Sequence, residues 1–360
     1  MEKMTSKERL LNSIKGMETD HLAWSPFLAY FWDFQPEEVT KKGMLEFYKE
    51  IGADPLFRGF CTLIKKNYKN VTISDKTDGL KRQVIYETEK GNLTFGYVYA
   101  TESRSWFLKD HPVKTEDDFK KLIYLYENLQ IEKDFSKYEN GLKAVNDQAL
   151  LIPIIGAEMK SSFQSLLEHW VGTVDLTYAL YDFPELVQEA LAVMQKKSMD
   201  AVEIACDSKA ESFIFWEDSS TTNLSPDQFS EFVAPEINQW GKLLHQNNQM
   251  LVHHACGLIK DLLPLMAKTD IDMIESISPP PTGNVYTYEA REVLPERIGL
   301  IGGIDAVVLE SYPVNDLYDY VKDIIMKTNR RKFILGNSDS CPPRVDIEKF
   351  KMISRLVKEF

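Results

Sequence analysis

The chain predicts a parallel (β/α)8 barrel, and three observations predict it. Short apolar, β-branched runs bounded by turn residues recur eight times along its 360 residues. Stretches with helical spacing separate them. No G-x-G-x-x-G opens a helix, as the doubly wound open sheet would require for a dinucleotide site, and eight strands is many for that fold.

In order, the runs are "HLAWSPF" (21–27), "ADPLFRGF" (53–60), "LLIPIIG" (150–156), "ESFIFWED" (211–218), "QMLVHHACG" (249–257), "IDMIESIS" (271–278), "RIGLIGGID" (297–305) and "KFILGNSDS" (332–340). The helices between them carry start signals of their own. Ser225-Pro226 reads as an N-cap and first-turn proline before Phe229, Phe232 and Val233. Pro235 opens a second run, with Ile237, Trp240, Leu243 and Leu244 on one stripe. After Asn315, the positions Leu317, Tyr320, Val321, Ile324 and Ile325 follow the helical repeat, and "DIEKFKMISRLVKEF" closes the chain as a last helix. One segment departs from the alternation: "KRQVIYETEKGNLTFGYVYAT" (81–101) has two β-rich halves around Lys90-Gly91-Asn92 and reads as an inserted hairpin. Without a linker, repeat or low-complexity tract, residues 1–360 are expected to form a single barrel domain.

Composition bounds the function. The chain is 44% hydrophobic and 27% charged, with a formal charge of −13 and basic residues scattered among acidic ones, so nucleic acid is not an expected partner. The opening "MEKMTSKERLLNSIKGMETD" has no apolar core of a signal segment, and no run reaches the length of a bilayer span. A cytoplasmic enzyme that does not enter membranes is the expectation. Four cysteines are too few and too scattered for a disulfide framework, which leaves free thiols or a metal. Oligomeric state is not written in the sequence.

A barrel places its reactive groups at the C-terminal ends of its strands. There the fourth strand ends in Glu217-Asp218, the fifth in His254-Ala255-Cys256, the sixth carries Glu275, the seventh ends in Asp305, and the eighth runs through Asn337 and Asp339 to Cys341. Zn²⁺ takes imidazole and thiolate ligands in a tetrahedron and, in catalytic sites, keeps one position open. His254, Cys256 and Cys341 supply one nitrogen and two sulfurs, and Glu275 is the candidate for the fourth position. Two thiolates favour zinc over magnesium or calcium. A lone cysteine is more often packing than ligand, and Cys61 and Cys206 are read that way. Strand alternation turns His253 away from His254. Glu217 and Asp218 are a catalytic pair or a loop cap; "GLIGGID" is a tight strand exit or a phosphate loop; "AYFWDF" (29–34) is an aromatic substrate wall or packing.

The blocks "SKERLLNSIKGMETDHLAWSPF", "DSSTTNLSPDQFSEFVAPEINQWGKLLHQNN", "HHACG", "GGIDAVVL" and "NSDSCPPRVDIEKFKMI" together resemble the uroporphyrinogen decarboxylase superfamily over almost the whole chain. Within it, His-x-Cys with a distant Cys is similar to the zinc pattern of the cobamide-dependent branch that contains the methylcobamide:coenzyme M methyltransferases. The resemblance puts the zinc on His254, Cys256 and Cys341, with Glu275 able to complete the shell. It implies an enzyme that moves a methyl group between a corrinoid and a small thiol or a methylated, for instance methoxylated aromatic, substrate. The chain has no Asp-x-His-x-x-Gly segment, so the resemblance implies a corrinoid carried by a partner protein. The decarboxylase's own Arg-rich substrate segment is missing: "SPFLAYFWDFQPEE" (25–38) has no arginine. A metal-independent carboxy-lyase of the same superfamily and a non-catalytic module that binds corrinoid proteins are the alternatives.

Overall fold

The computed structural model describes residues 3–360. The chain divides into two compact units. The first comprises residues up to 62, 135–154 and 209–360; the second is drawn from 63–134 and 155–208, the segments that follow the second and third barrel strands.

All eight expected strands are present in the first unit: β1 (Ala23–Trp24), β2 (Leu56–Thr62), β3 (Leu150–Ile154), β4 (Ser212–Glu217), β5 (Met250–Ala255), β6 (Met273–Ile277), β7 (Gly299–Ile304) and β8 (Phe333–Asn337). They form one parallel sheet in the order β1-β8-β7-β6-β5-β4-β3-β2. The end strands meet: Asp54 N–H donates to Trp24 O at 2.7 Å and Arg58 Nη2 to Ser25 O at 2.8 Å, so the sheet curls back on itself as a barrel.

Each strand sends one apolar side chain into a common layer, made of Ala23, Leu56, Ile152, Ile214, Val252, Met273, Ile301 and Ile334. Leu10 and Ile14 of the helix Ser6–Lys15 pack against this layer. That helix opens with a reciprocal capping box between Thr5 and Glu8 and ends on left-handed Gly16. Because successive side chains of a strand alternate, the residues two positions further on share the inward parity. Those residues are Arg58, Trp216, His254, Glu275 and Gly336, and this polar layer is where the site lies.

The expected helices form near their expected bounds. Ser225 caps the turn at Pro226–Gln228 with its own capping box, and Ala234–Gln246, Val314–Lys327 and Ile347–Leu356 follow.

The second unit holds more β-structure than one hairpin. Lys81–Thr88 and Gly91–Ala100 do pair, with Thr88 opposite Gly91, so the turn is Glu89-Lys90, one residue ahead of the expected centre. The antiparallel strands Val71–Asp78 and Ser105–Asp110 extend the hairpin to a four-stranded meander. Ile64–Tyr68 pairs with Leu129–Lys133, and the helices Glu116–Glu127 and Pro184–Cys206 pack together. Trp170 anchors the unit: Tyr86, Phe95 and Tyr126 surround its ring, and its Nε1 donates to Tyr126 Oη at 3.0 Å.

Candidate active site at the barrel mouth

The alternation expected of "LVHHACG" holds. His253 lies on the outer face, fully buried, stacked on Phe215 at 4.6 Å and Phe229 at 6.3 Å, with its Nε2 hydrogen-bonded to Ser219 Oγ at 2.9 Å. Burial drives its pKa down to about 3, so it is a neutral packing residue. His254 lies on the inner face at the level of Glu275, its register partner on β6. Its Nδ1 is hydrogen-bonded to Glu275 Oε2, which leaves Nε2 as the ring nitrogen for a ligand. Burial pulls the His254 pKa down, and Glu275, with Asp339 and Asp218 beyond it, outweighs that and raises it.

Cys256 follows the end of β5, and its thiol donates to Asp218 Oδ1 at 3.5 Å. Burial raises its pKa well above the usual thiol range, and Asp218 and Asp339 push it further. Asp218 thus reaches the cluster. Glu217, fully buried, has the outward parity of Phe215 and is not on the same face as His254.

Cys341 is fully buried. Its N–H donates to Phe27 O at 2.7 Å, its thiol contacts Pro342 O at 3.6 Å, and burial, with Glu310 as a smaller contribution, holds the pKa high. Among the described residues no three His, Cys, Asp or Glu side chains gather closely enough to hold a metal ion. His254, Cys256, Cys341 and Glu275 are therefore not a preassembled tetrahedron. Glu275 is engaged with His254 and with Arg58, whose Nε lies 3.3 Å from its Oε1.

The donor chemistry still fits a soft divalent cation. Burial first, and the carboxylates of Asp218, Asp339 and Glu275 after it, disfavour the Cys256 thiolate, and a cation bound by Cys256 and His254 Nε2 would offset both.

Other strand-end residues take structural duties. Asp305 caps the helix Ala306–Ser311, accepting from Val307 N at 2.8 Å and Val308 N at 3.0 Å, so "GLIGGID" is a capped strand exit. Asn337 accepts from Phe27 N at 2.8 Å and pins the exit of β1. The "AYFWDF" segment forms a short helix, Ala29–Asp33, whose Phe31 packs on Phe47 and Phe350. Beside His254, Phe27 stacks on Trp216 (5.9 Å, 14°), and Trp216 is edge-on to His254 at 4.9 Å.

Arg58 went unnoticed in the sequence. Its signal was a charge at the inward parity of an otherwise apolar run, two residues after Leu56.

Fold and site together describe a parallel barrel with imidazole, thiol and carboxylate groups at the C-terminal ends of its strands. The family model "Uroporphyrinogen decarboxylase (URO-D)" matches residues 110–360, and the chain belongs to that family. Among solved structures, a methyltransferase from Methanosarcina mazei is 14% identical, covers 99% of each chain and superposes with a TM-score of 0.66, a likeness of fold. A B12-independent methionine synthase from Shewanella sp. W3-18-1 is 10% identical (94% of this chain, 96% of that one, TM-score 0.41). A putative one from Listeria monocytogenes is 14% identical (94% and 96%, TM-score 0.44). At those TM-scores neither bears on the function. No curated protein sequence matches significantly.

Proposed function

We propose that the chain is a zinc-dependent methyltransferase that exchanges a methyl group between a corrinoid held by a partner protein and a small thiol or methylated substrate. The observation that carries this reading is the inner-face cluster itself: His254 pinned through Nδ1 by Glu275, with Cys256 hydrogen-bonded to Asp218. The family membership and the methyltransferase fold neighbour support it.

In this proposal His254 Nε2, Cys256 and Cys341 hold the metal. Cys341 sits in the irregular segment between β8 and the helix Ile347–Leu356, where its thiol contacts the Pro342 carbonyl, and it would be the third donor. When bound, zinc would supply Lewis acidity toward a substrate thiol or toward the heteroatom that carries the methyl group. The chain's own residues do the rest. Asp218 accepts from the Cys256 thiol and is placed to take its proton. Phe27 and Trp216 wall the substrate side and exclude water. Glu217 is assigned to holding the end of β4.

The test is turnover of methylated donors or thiol acceptors with a corrinoid protein, before and after chelation and in Cys256→Ala. Loss in both cases is expected. Undiminished turnover in both would overturn the zinc role, and release of CO₂ from an acid substrate without metal, with no methyl transfer, would overturn the reading in favour of a carboxy-lyase.

A further inference from the structure

The ligand set does not use Arg58, yet Arg58 and Glu275 both have side chains with 0% exposure. We propose that Arg58 is a positioning residue: through Glu275 it fixes the ring of His254 and so presents Nε2 to the metal. The inference rests on the zinc reading of the site.

Four observations carry it. The two Glu275 oxygens are divided, Oε1 in an ion pair with Arg58 Nε at 3.3 Å and Oε2 hydrogen-bonded to His254 Nδ1, so the guanidinium charge and the imidazole lie on opposite oxygens of one carboxylate. Both strands bulge immediately beyond these residues. In β2 the register shifts after Arg58, with Gly59 at φ 66°; in β6 it shifts after Glu275, with Ser276 at φ 77°. A bulge re-aims the side chain beside it, and positive φ at a serine is a costly backbone state that clusters at functional sites. Room for the guanidinium comes from a glycine: a Cβ at Gly336 would stand 2.8 Å from Ser25 O and 3.2 Å from Arg58 Nη2. Finally, Arg58 Nη1 and Nε and Glu275 Oε1 are all buried without a hydrogen-bond partner among the described residues, so Arg58 and Glu275 are held together by charge rather than by a hydrogen bond. An incompletely satisfied buried guanidinium is a weak source of stability, so orientation is the better account of it.

The experiment measures zinc affinity by chelator competition on the full chain for wild type, Arg58→Lys, Arg58→Met, Glu275→Gln and the Arg58→Lys/Glu275→Gln pair. Arg58→Met is expected to weaken binding about 10–100-fold, the range for an outer partner of a metal-bound histidine. Arg58→Lys, which keeps the charge but not the planar fork, is expected between it and wild type, with no added loss on top of Glu275→Gln. The thiolate-to-metal bands of the Co²⁺-loaded variants are expected to persist, because the sulfur donors are untouched. If Arg58→Met fails to fold, Arg58→Lys decides between the outcomes. Wild-type affinity in Arg58→Lys, or a loss that simply adds to that of Glu275→Gln, overturns the positioning role alone. A wild-type chain that binds no zinc overturns the site reading and the role together.

Discussion

His253 and His254 are adjacent in sequence, and the pleat of β5 gives them different work. His253→Ala is expected to cost stability, about 2–4 kcal/mol for a buried ring stacked on two aromatics, while zinc binding survives. His254→Ala is expected to do the reverse, abolishing zinc binding with a small change in stability. Urea titration and metal analysis of both variants check the pair. A second residue-scale prediction concerns acid. Burial would raise the Asp20 pKa, but its bonds from Arg9 and from Met4 N–H outweigh this and hold it at about 2. A depressed folded-state pKa stabilises the fold above the unfolded carboxylate range, and the contribution is lost as pH falls from about 4 through about 2. Asp20→Asn is expected to remove about 1 kcal/mol of that acid dependence in denaturant titrations across this window. At this scale the sequence was unevenly legible. Alternation is local, so it separated the two histidines correctly. Arg58 meets Glu275 across the barrel, 217 positions later, and no local pattern signals such a pairing.

Elements were more legible than contacts. Apart from β2, where burial alternates, the barrel strands are short apolar runs buried on both faces, so each run is visible without its neighbours. Only the central hairpin of the second unit was legible, because its outer strands "VTISDKTD" and "SWFLKD" are polar and half-exposed and look like loop. The barrel layer predicts its own test: Ile214→Ala is expected to destabilise by about 2–5 kcal/mol, measured by chemical denaturation, because the closed ring of side chains cannot collapse into the gap. Gly59→Ala reads the polar layer. Its Cβ would stand 2.3 Å from Trp216 Cζ2 at a residue with φ 66°, so the indole must move. Altered tryptophan fluorescence together with weaker zinc binding is the expected outcome.

At the scale of the whole molecule, the family and the barrel were both readable from sequence blocks spread along the chain, while no linker in the sequence marks the two compact units. Unit boundaries follow contact density, and the segments 63–134 and 155–208 are separated in sequence by barrel residues. Among the described residues no helix is long and apolar enough to cross a membrane. The central claim is that the inner-face cluster is a zinc site serving methyl transfer. The most direct measurement is elemental analysis of the purified full-length chain and of Cys256→Ala. About one zinc per wild-type chain and little in the variant is the predicted result. Wild-type protein free of zinc after incubation with excess metal, or a variant that retains the full content, would contradict it.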